Sequence, residues 1–323
     1  ATAKFKLAAA EQLYSIFARH HPPGSDSTRR KAFDAFLARG GEQLSRFATF
    51  QALEERMGPP STWPSTYTRA DAPDVAHFAR EHAQRCSFYA YLQFETDRQL
   101  AATAAAAHAS GLAIGLYGDL AVGAAPDGAE VWGASDAFAR ACQFGAPPDP
   151  FSSTGQAWGM PPMSPHHMTA AAYRPFSELL AANMRHAGAL RLDHVMWLER
   201  MFWIPDGASA KDGAYVRYPR DDLLAVLALE SHRHQCLVVG EDLGTVPDGF
   251  RERMEAEQIL SYRFVRFERF PDGLFRRPET YPPIALATPA SHDLATVRGF
   301  WLGRDIAAME AAGLIDNSEA RAM

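Results

Sequence analysis

Residues 237–244 read LVVGEDLG, and the fold follows from how this stretch is understood. Leu237, Val238 and Val239 suit the inside of a β-strand. After Gly240 come two carboxylates, Glu241 and Asp242. A charged group is costly to bury without partners, so the strand is expected to end here and deliver its acid to a rim. Upstream, RDDLLAVLALESHRHQ (220–235) reads as a helix, with acids at its start and Arg233 near its end, as the macrodipole favours. Downstream, PDGFRERMEAEQIL (247–260) reads as another helix and YRFVRFERF (262–270) as a strand.

The same alternation extends both ways. RPFSELLAANMRHAGAL (174–190) places Pro175 near the first helical turn, with Phe176, Leu179 and Leu180 as an apolar stripe. GALRLDHV (188–195) is then a strand ending at Asp193, LAIGLYGDLAVG (112–123) one ending at Asp119, and IALATPASHD (284–293) one ending at Asp293. Strand–helix–strand order means parallel strands joined by crossovers. The expected class is α/β, a (β/α)8 TIM-barrel type. It is expected to be incomplete, with about five of eight strands, near 112–119, 188–193, 236–241, 262–268 and 284–292. Residues 1–110 are expected to form a mainly helical subdomain on the N-terminal side. Here STRRKAFDAFLARGG (27–41) begins at possible N-caps and ends at a glycine pair, and the helical run after 73 is expected to break near Ser87. Residues 111–302 would carry the partial barrel, with a long substrate loop over 124–172, and 303–323 a C-terminal helical tail.

Composition limits the function classes. Of 323 residues, 47% are hydrophobic and 11% aromatic, enough for a substantial core. The formal net charge is −6, and no basic stripe offers itself to nucleic acid or an anionic membrane. Cys86, Cys142 and Cys236 are widely spaced and read as reduced thiols of a cytoplasmic protein. The N-terminal stretch, with Lys4, Lys6 and Glu11, does not read as a signal peptide, and no segment approaches a membrane span.

In a parallel barrel, catalytic groups stand at the C-terminal ends of strands. One acid there is more often a helix cap; four in register, Asp119, Asp193, Glu241 and Asp293, are harder to explain that way. An acidic cluster either holds a divalent cation or works on glycosidic bonds as nucleophile and acid/base. Arg191 beside Asp193 favours the second, because an arginine keeps its neighbour anionic and opposes a crowded metal cage. Tryptophans 158, 197, 203 and 301 lie near the same loops, although Trp197 and Trp203 read better as packing residues. Asp242 reads as structural. The histidine pairs 166/167 and 232/234 do not read as metal ligands.

RLDHV (191–195), VVGEDLGTVP (238–247) and ASHDLATVRGFW (290–301) resemble the conserved stretches of amylomaltase, the bacterial 4-alpha-glucanotransferase of glycoside hydrolase family 77. GLYGDLAVGA (115–124), GAPPDPFSSTGQAWGMPPM (145–163) and GAYVRYPRDDLLAVLALESHRHQC (213–236) are similar to the branch found in maltodextrin-using bacteria. The resemblance spans nearly the whole chain, in the right order. It implies Asp193 as nucleophile, Glu241 as general acid/base and Asp293 as the acid that steadies the transition state. It further implies that Arg191, His292, Asp119, Asp149, Gln156 and Trp158 bind the sugar. The implied activity is transfer of α-1,4-glucan segments between malto-oligosaccharides by retaining double displacement, without metal or cofactor. Hydrolysis in the manner of the α-amylase clan is the alternative, or glucan binding by an inactive fragment. By family order the five strands are the third to seventh, and the family's serine- and tyrosine-bearing first-strand segment is missing. An open sheet would expose two edges and favour self-association.

Overall fold

The computed structural model describes residues 2–148, 154–292, 294–313 and 315. Its N-terminal third is helical: α1 (Thr2–His20), α2 (Thr28–Met57), α3 (Pro73–Glu81) and α4 (Ala83–Ala109). They enclose an aromatic core of Phe17, Phe33, Phe50, Phe88, Tyr91 and Phe94, in which Phe33 meets Phe17 edge-on at 5.4 Å. Ser27 caps α2 by accepting from the Arg30 N–H at 3.1 Å. The expected stop at the glycine pair does not occur. Gly41 takes a non-helical conformation (φ 49°, ψ −137°), which bends the chain, and the helix resumes to Met57. The break expected at Ser87 falls at His82, between α3 and α4.

The chain then enters a sheet with β1 (Tyr117–Leu120), followed by α5 (Ala129–Gly133), β2 (Cys142–Ala146) and β3 (Gln156–Ala157). Helices α6 (Pro165–Ala170) and α7 (Arg174–Met184) lead to β4 (Ala189–Leu192), β5 (Arg200–Pro205) and β6 (Ala214–Arg217). The last part holds α8 (Arg220–His234), β7 (Leu237–Gly240), α9 (Phe250–Ala256), β8 (Leu260–Phe264), β9 (Ala285–Thr288), α10 (Val297–Trp301) and α11 (Arg304–Ala311).

Five strands, in the order β1-β4-β7-β8-β9, form one sheet in which all pairings are parallel. These are the five strands expected from sequence, though β8 and β9 end earlier than the sequence suggested. Among the described residues β1 and β9 are edges, so the sheet is open. The expected loop over 124–172 is not structureless. Its β2 and β3 join β5 and β6 in a second, antiparallel sheet of order β3-β2-β5-β6. Alternating patterns there are short and interrupted by Pro and Gly, and so carry little signal from sequence alone.

The parallel sheet packs its buried Leu190, Leu192, Val238 and Cys236 against Phe176, Leu180 and Met184 of α7 and Leu223 and Leu227 of α8. β4 is covered throughout: all four of its residues are buried. The approach of β1 to β4 is close. A Cβ on Gly188 would lie 1.6 Å from the Ile114 carbonyl oxygen, and the Gly188 N–H donates to the Leu116 carbonyl at 2.9 Å. Glycine is required here by contact rather than by φ. Replacing Gly188 with Ala is therefore expected to push β1 off β4 and lower stability by about 1–3 kcal/mol, read as a shift in urea midpoint. An unchanged midpoint would contradict this account of the packing.

Candidate active site

The register of the sheet sets the site. Asp119 lies level with Arg191, and Arg191 with Val239. Asp193 and Glu241 each stand one residue beyond the ends of β4 and β7. Asp119 is the third residue of β1 rather than a residue past its end, so the acids are not all at one height as the sequence suggested. The offset brings Asp119 and Asp193 to either side of one guanidinium. Arg191 donates through Nη1 to Asp119 Oδ1 and through Nη2 to Asp193 Oδ1, each at 2.7 Å. Arg191 is 5% exposed and also lies over the Tyr262 ring at 5.4 Å.

Glu241 differs from expectation. It follows the strand end, but it is 8% exposed and does not stand at an open rim. Its carboxyl is tied to backbone: Oε2 accepts the His194 N–H and Oε1 the Leu243 N–H, both at 2.9 Å. Burial pushes its pKa from the ordinary 4.5 up to about 7, with Asp193 adding to the rise and the two N–H donors and Arg191 opposing it. Loss of solvent thus outweighs the neighbouring Asp193 charge. Asp242, the neighbouring acid, is fully buried and structural as expected. It accepts from the Arg251 guanidinium and the Ser261 hydroxyl at 2.7 Å and from the Tyr262 N–H at 2.9 Å.

His194 directly follows Asp193 in the sequence. Its backbone is left-handed (φ 48°, ψ 54°), which aims its N–H at Glu241. Its ring meets Trp158 edge-on at 5.2 Å, and burial lowers its pKa to about 4, so it is neutral at physiological pH. Such backbone geometry carries no sequence signature in a histidine. Trp158 donates through its indole N–H to Gln156 Oε1 at 3.0 Å, which joins two of the expected sugar-binding residues. His292 is mostly exposed, with Nδ1 4.0 Å from Asp119 Oδ2. Asp149 and Asp293 lie outside the described residues. Trp197 packs edge-on to Phe176 at 5.3 Å and Trp203 adjoins the same core, both as expected of packing residues. Trp301 is 84% exposed on α10.

A parallel sheet of barrel type therefore carries, past its C-terminal strand ends, one arginine-paired carboxylate and one buried carboxyl that holds its proton near neutral pH. This is the pairing of groups used on glycosidic bonds. The chain belongs to the 4-alpha-glucanotransferase family, glycoside hydrolase family 77, whose profile matches residues 1–321. It is 39% identical to 4-alpha-glucanotransferase from Haemophilus influenzae, over 96% of this chain and 46% of that protein. It is also 39% identical to the enzyme of the same name from Mycobacterium bovis, over 92% of this chain and 42% of that one. The chain thus spans less than half the length of these relatives. Amylomaltase from Corynebacterium glutamicum superposes with a TM-score of 0.81 at 33% identity, covering 94% of this chain and 42% of that one. Amylomaltase from Streptococcus agalactiae, solved with acarbose, superposes at 0.78 with 18% identity, over 97% of this chain and 64% of that one, a likeness of fold alone. The sheet is thus five strands of an amylomaltase-type barrel.

The raised Glu241 pKa has a consequence for stability. Below about pH 4.5 the carboxyl is protonated folded and unfolded, and burial costs little. As pH rises towards about 7 the unfolded chain ionises first, so stability falls across that window. Glu241→Gln removes this dependence. It is expected to equal or trail wild type near pH 4 and to exceed it by roughly 1–2 kcal/mol near pH 8, measured as the difference in urea unfolding free energy. A difference that does not change with pH would show that Glu241 is not desolvated.

Proposed function

We propose that this chain carries the reaction centre of a retaining 4-alpha-glucanotransferase acting on α-1,4-linked malto-oligosaccharides. The observation that carries the reading is the contrast between Asp193, paired through Oδ1 to Arg191, and Glu241, buried with its pKa near 7. In the first step Glu241 gives its proton to the glycosidic oxygen. Asp193 Oδ2, the oxygen not engaged by Arg191, bonds to the anomeric carbon as the carbon–oxygen bond to the leaving sugar breaks. In the second step the Glu241 carboxylate takes the proton from an acceptor 4-hydroxyl. That oxygen displaces Asp193 and the anomeric configuration is restored. A Glu241 pKa near neutrality suits both halves, since the group must give and then accept one proton.

Arg191, Asp119 and His292 would hold the sugar at the point of scission, with Gln156 and Trp158 lining the adjoining subsites. Asp149 belongs to the same proposed loop, and Asp293 is proposed as the third acid. No metal or cofactor enters these steps. The cysteines Cys86, Cys142 and Cys236 are free, which is consistent with a cytoplasmic setting.

The test uses a donor with a good leaving group, α-maltosyl fluoride, on the Glu241→Gln variant. Fluoride departs without acid assistance, while the second step lacks its base. A maltosyl adduct on Asp193 is expected to accumulate and to be seen by mass spectrometry of the digested protein. Asp193→Asn should give none. If Glu241→Gln forms no adduct on Asp193, the reading is wrong.

The open sheet generates a second expectation. Tyr117 on β1 is 47% exposed, and beyond the other side of the sheet Phe267, Leu274 and Trp301 are 56%, 66% and 84% exposed. Unpaired edges flanked by apolar surface favour pairing between chains. The 323-residue chain is expected to self-associate and to show low transferase activity. A concentration-independent monomer in sedimentation velocity, together with vigorous disproportionation of maltotriose, would refute this.

A further inference from the structure

Away from the carboxylates lies a cleft of about 630 Å³, lined by Glu199 and Arg200, by Arg217 to Pro219, and by Arg220, Asp221 and Asp222 at the start of α8. Its unusual feature is a pair of like charges. Arg200 and Arg217 lie directly opposite each other on the antiparallel strands β5 and β6, so their side chains leave the same face. Like charges in that position repel, and sheets normally avoid them. Among the described residues neither has a carboxylate partner. Arg200 lies over the Tyr215 ring at 4.1 Å, and its buried Nε has no acceptor, so no carboxylate holds the guanidinium from behind.

The acids of the cleft are already engaged. Glu199 Oε2 is 3.2 Å from Arg253 and 3.5 Å from Arg220. Asp221 pairs with Arg220 at 2.8 Å, and Asp222 accepts the Tyr173 hydroxyl. Two guanidiniums are left without a counter-charge. They stand beside the start of a 15-residue helix without a side-chain cap, where the Arg220 and Leu223 N–H groups are already taken by the Tyr218 and Pro219 carbonyls at 2.8 and 3.0 Å. The two guanidinium forks are the groups free to take an anion, and they suit tetrahedral oxyanions.

We propose that this cleft binds a phosphate-class oxyanion, gripped by Arg200 and Arg217 at the mouth of α8. The anion relieves the cross-strand repulsion and fixes the β5–β6 hairpin against α8. The ligand is either free phosphate or phosphate carried on a sugar. The site is independent of the glycosidic chemistry proposed above and uses none of its residues.

The test titrates the full chain by calorimetry with inorganic phosphate, glucose 6-phosphate and glucose separately. One phosphate-class ligand per chain is expected to bind, with affinity that falls as salt is added, and glucose should not bind in this way. A tighter complex with glucose 6-phosphate identifies a sugar phosphate; equal affinities identify free phosphate. Arg217 is exposed, so Arg217→Gln should fold normally and weaken binding about tenfold or more. Arg200→Gln with Arg217→Gln should abolish it, and Arg56→Gln, on an exposed face of α2, should leave it unchanged. The proposal is overturned if the wild type shows no saturable phosphate binding, if Arg217→Gln binds as the wild type does, or if glucose competes as well as glucose 6-phosphate.

Discussion

The arrangement of the candidate site depends on one buried guanidinium. Arg191 sits in the middle of β4, covered on all sides, with Asp119 on one strand and Asp193 at the end of its own. Taking an arginine out of water is unfavourable, and leaving it there without a counter-charge typically costs about 3–5 kcal/mol. The two carboxylates and the Tyr262 ring offset that cost only if β1, β4 and β8 keep their places. The pairing therefore works in both directions: the sheet presents the acids to Arg191, and Arg191 resists any slip of the sheet. A shift of one residue in β1 would turn Asp119 to the opposite face and break the pair.

Two adjacent carboxylates illustrate how little of a residue's chemistry resides in its type. Asp242 is completely buried, and it is met there by Arg251, the Ser261 hydroxyl and the Tyr262 N–H, which tie the end of β7 to β8. Glu241, one residue earlier, is buried among fewer donors, and its two partners are neutral backbone groups. Asp242 is matched by a cationic partner, Arg251, and serves as a fastening. Glu241 has lost its water without gaining a direct cation, and burial leaves it holding a proton. The apolar run that precedes them places both just past the end of β7.

The parallel sheet was legible in the sequence because each strand is a short apolar run bracketed by an amphipathic helix, a pattern that LVVGEDLG and GALRLDHV both show. The identities of Arg191, Asp193 and Glu241 as a group were legible for the same reason. The depth of Glu241 was not, because an acid at a strand end carries no sequence sign of whether it is covered. The left-handed turn at His194 was also hidden, since glycine, not histidine, usually marks such a conformation. The second sheet was missed because its central pairing, Phe144 with Trp203, joins segments about sixty residues apart, and its strands are too short to leave a local period. The bend at Gly41 looked like a helix end because a glycine that stops a helix and one that bends it are alike in sequence.

That second sheet has an architectural consequence. One part of it, β2 and β3, belongs to the connection leaving β1; the other, β5 and β6, to the connection leaving β4. Neither insertion is self-sufficient, because β2 takes β5 as its partner across the two. A change in one half of this layer must consequently be matched in the other. Anyone grafting this layer onto another barrel would have to transplant both connections as a matched pair, together with the core residues of β4 and β7 beneath them, since Phe144 and Met201 share one cluster with Leu192 and Val238.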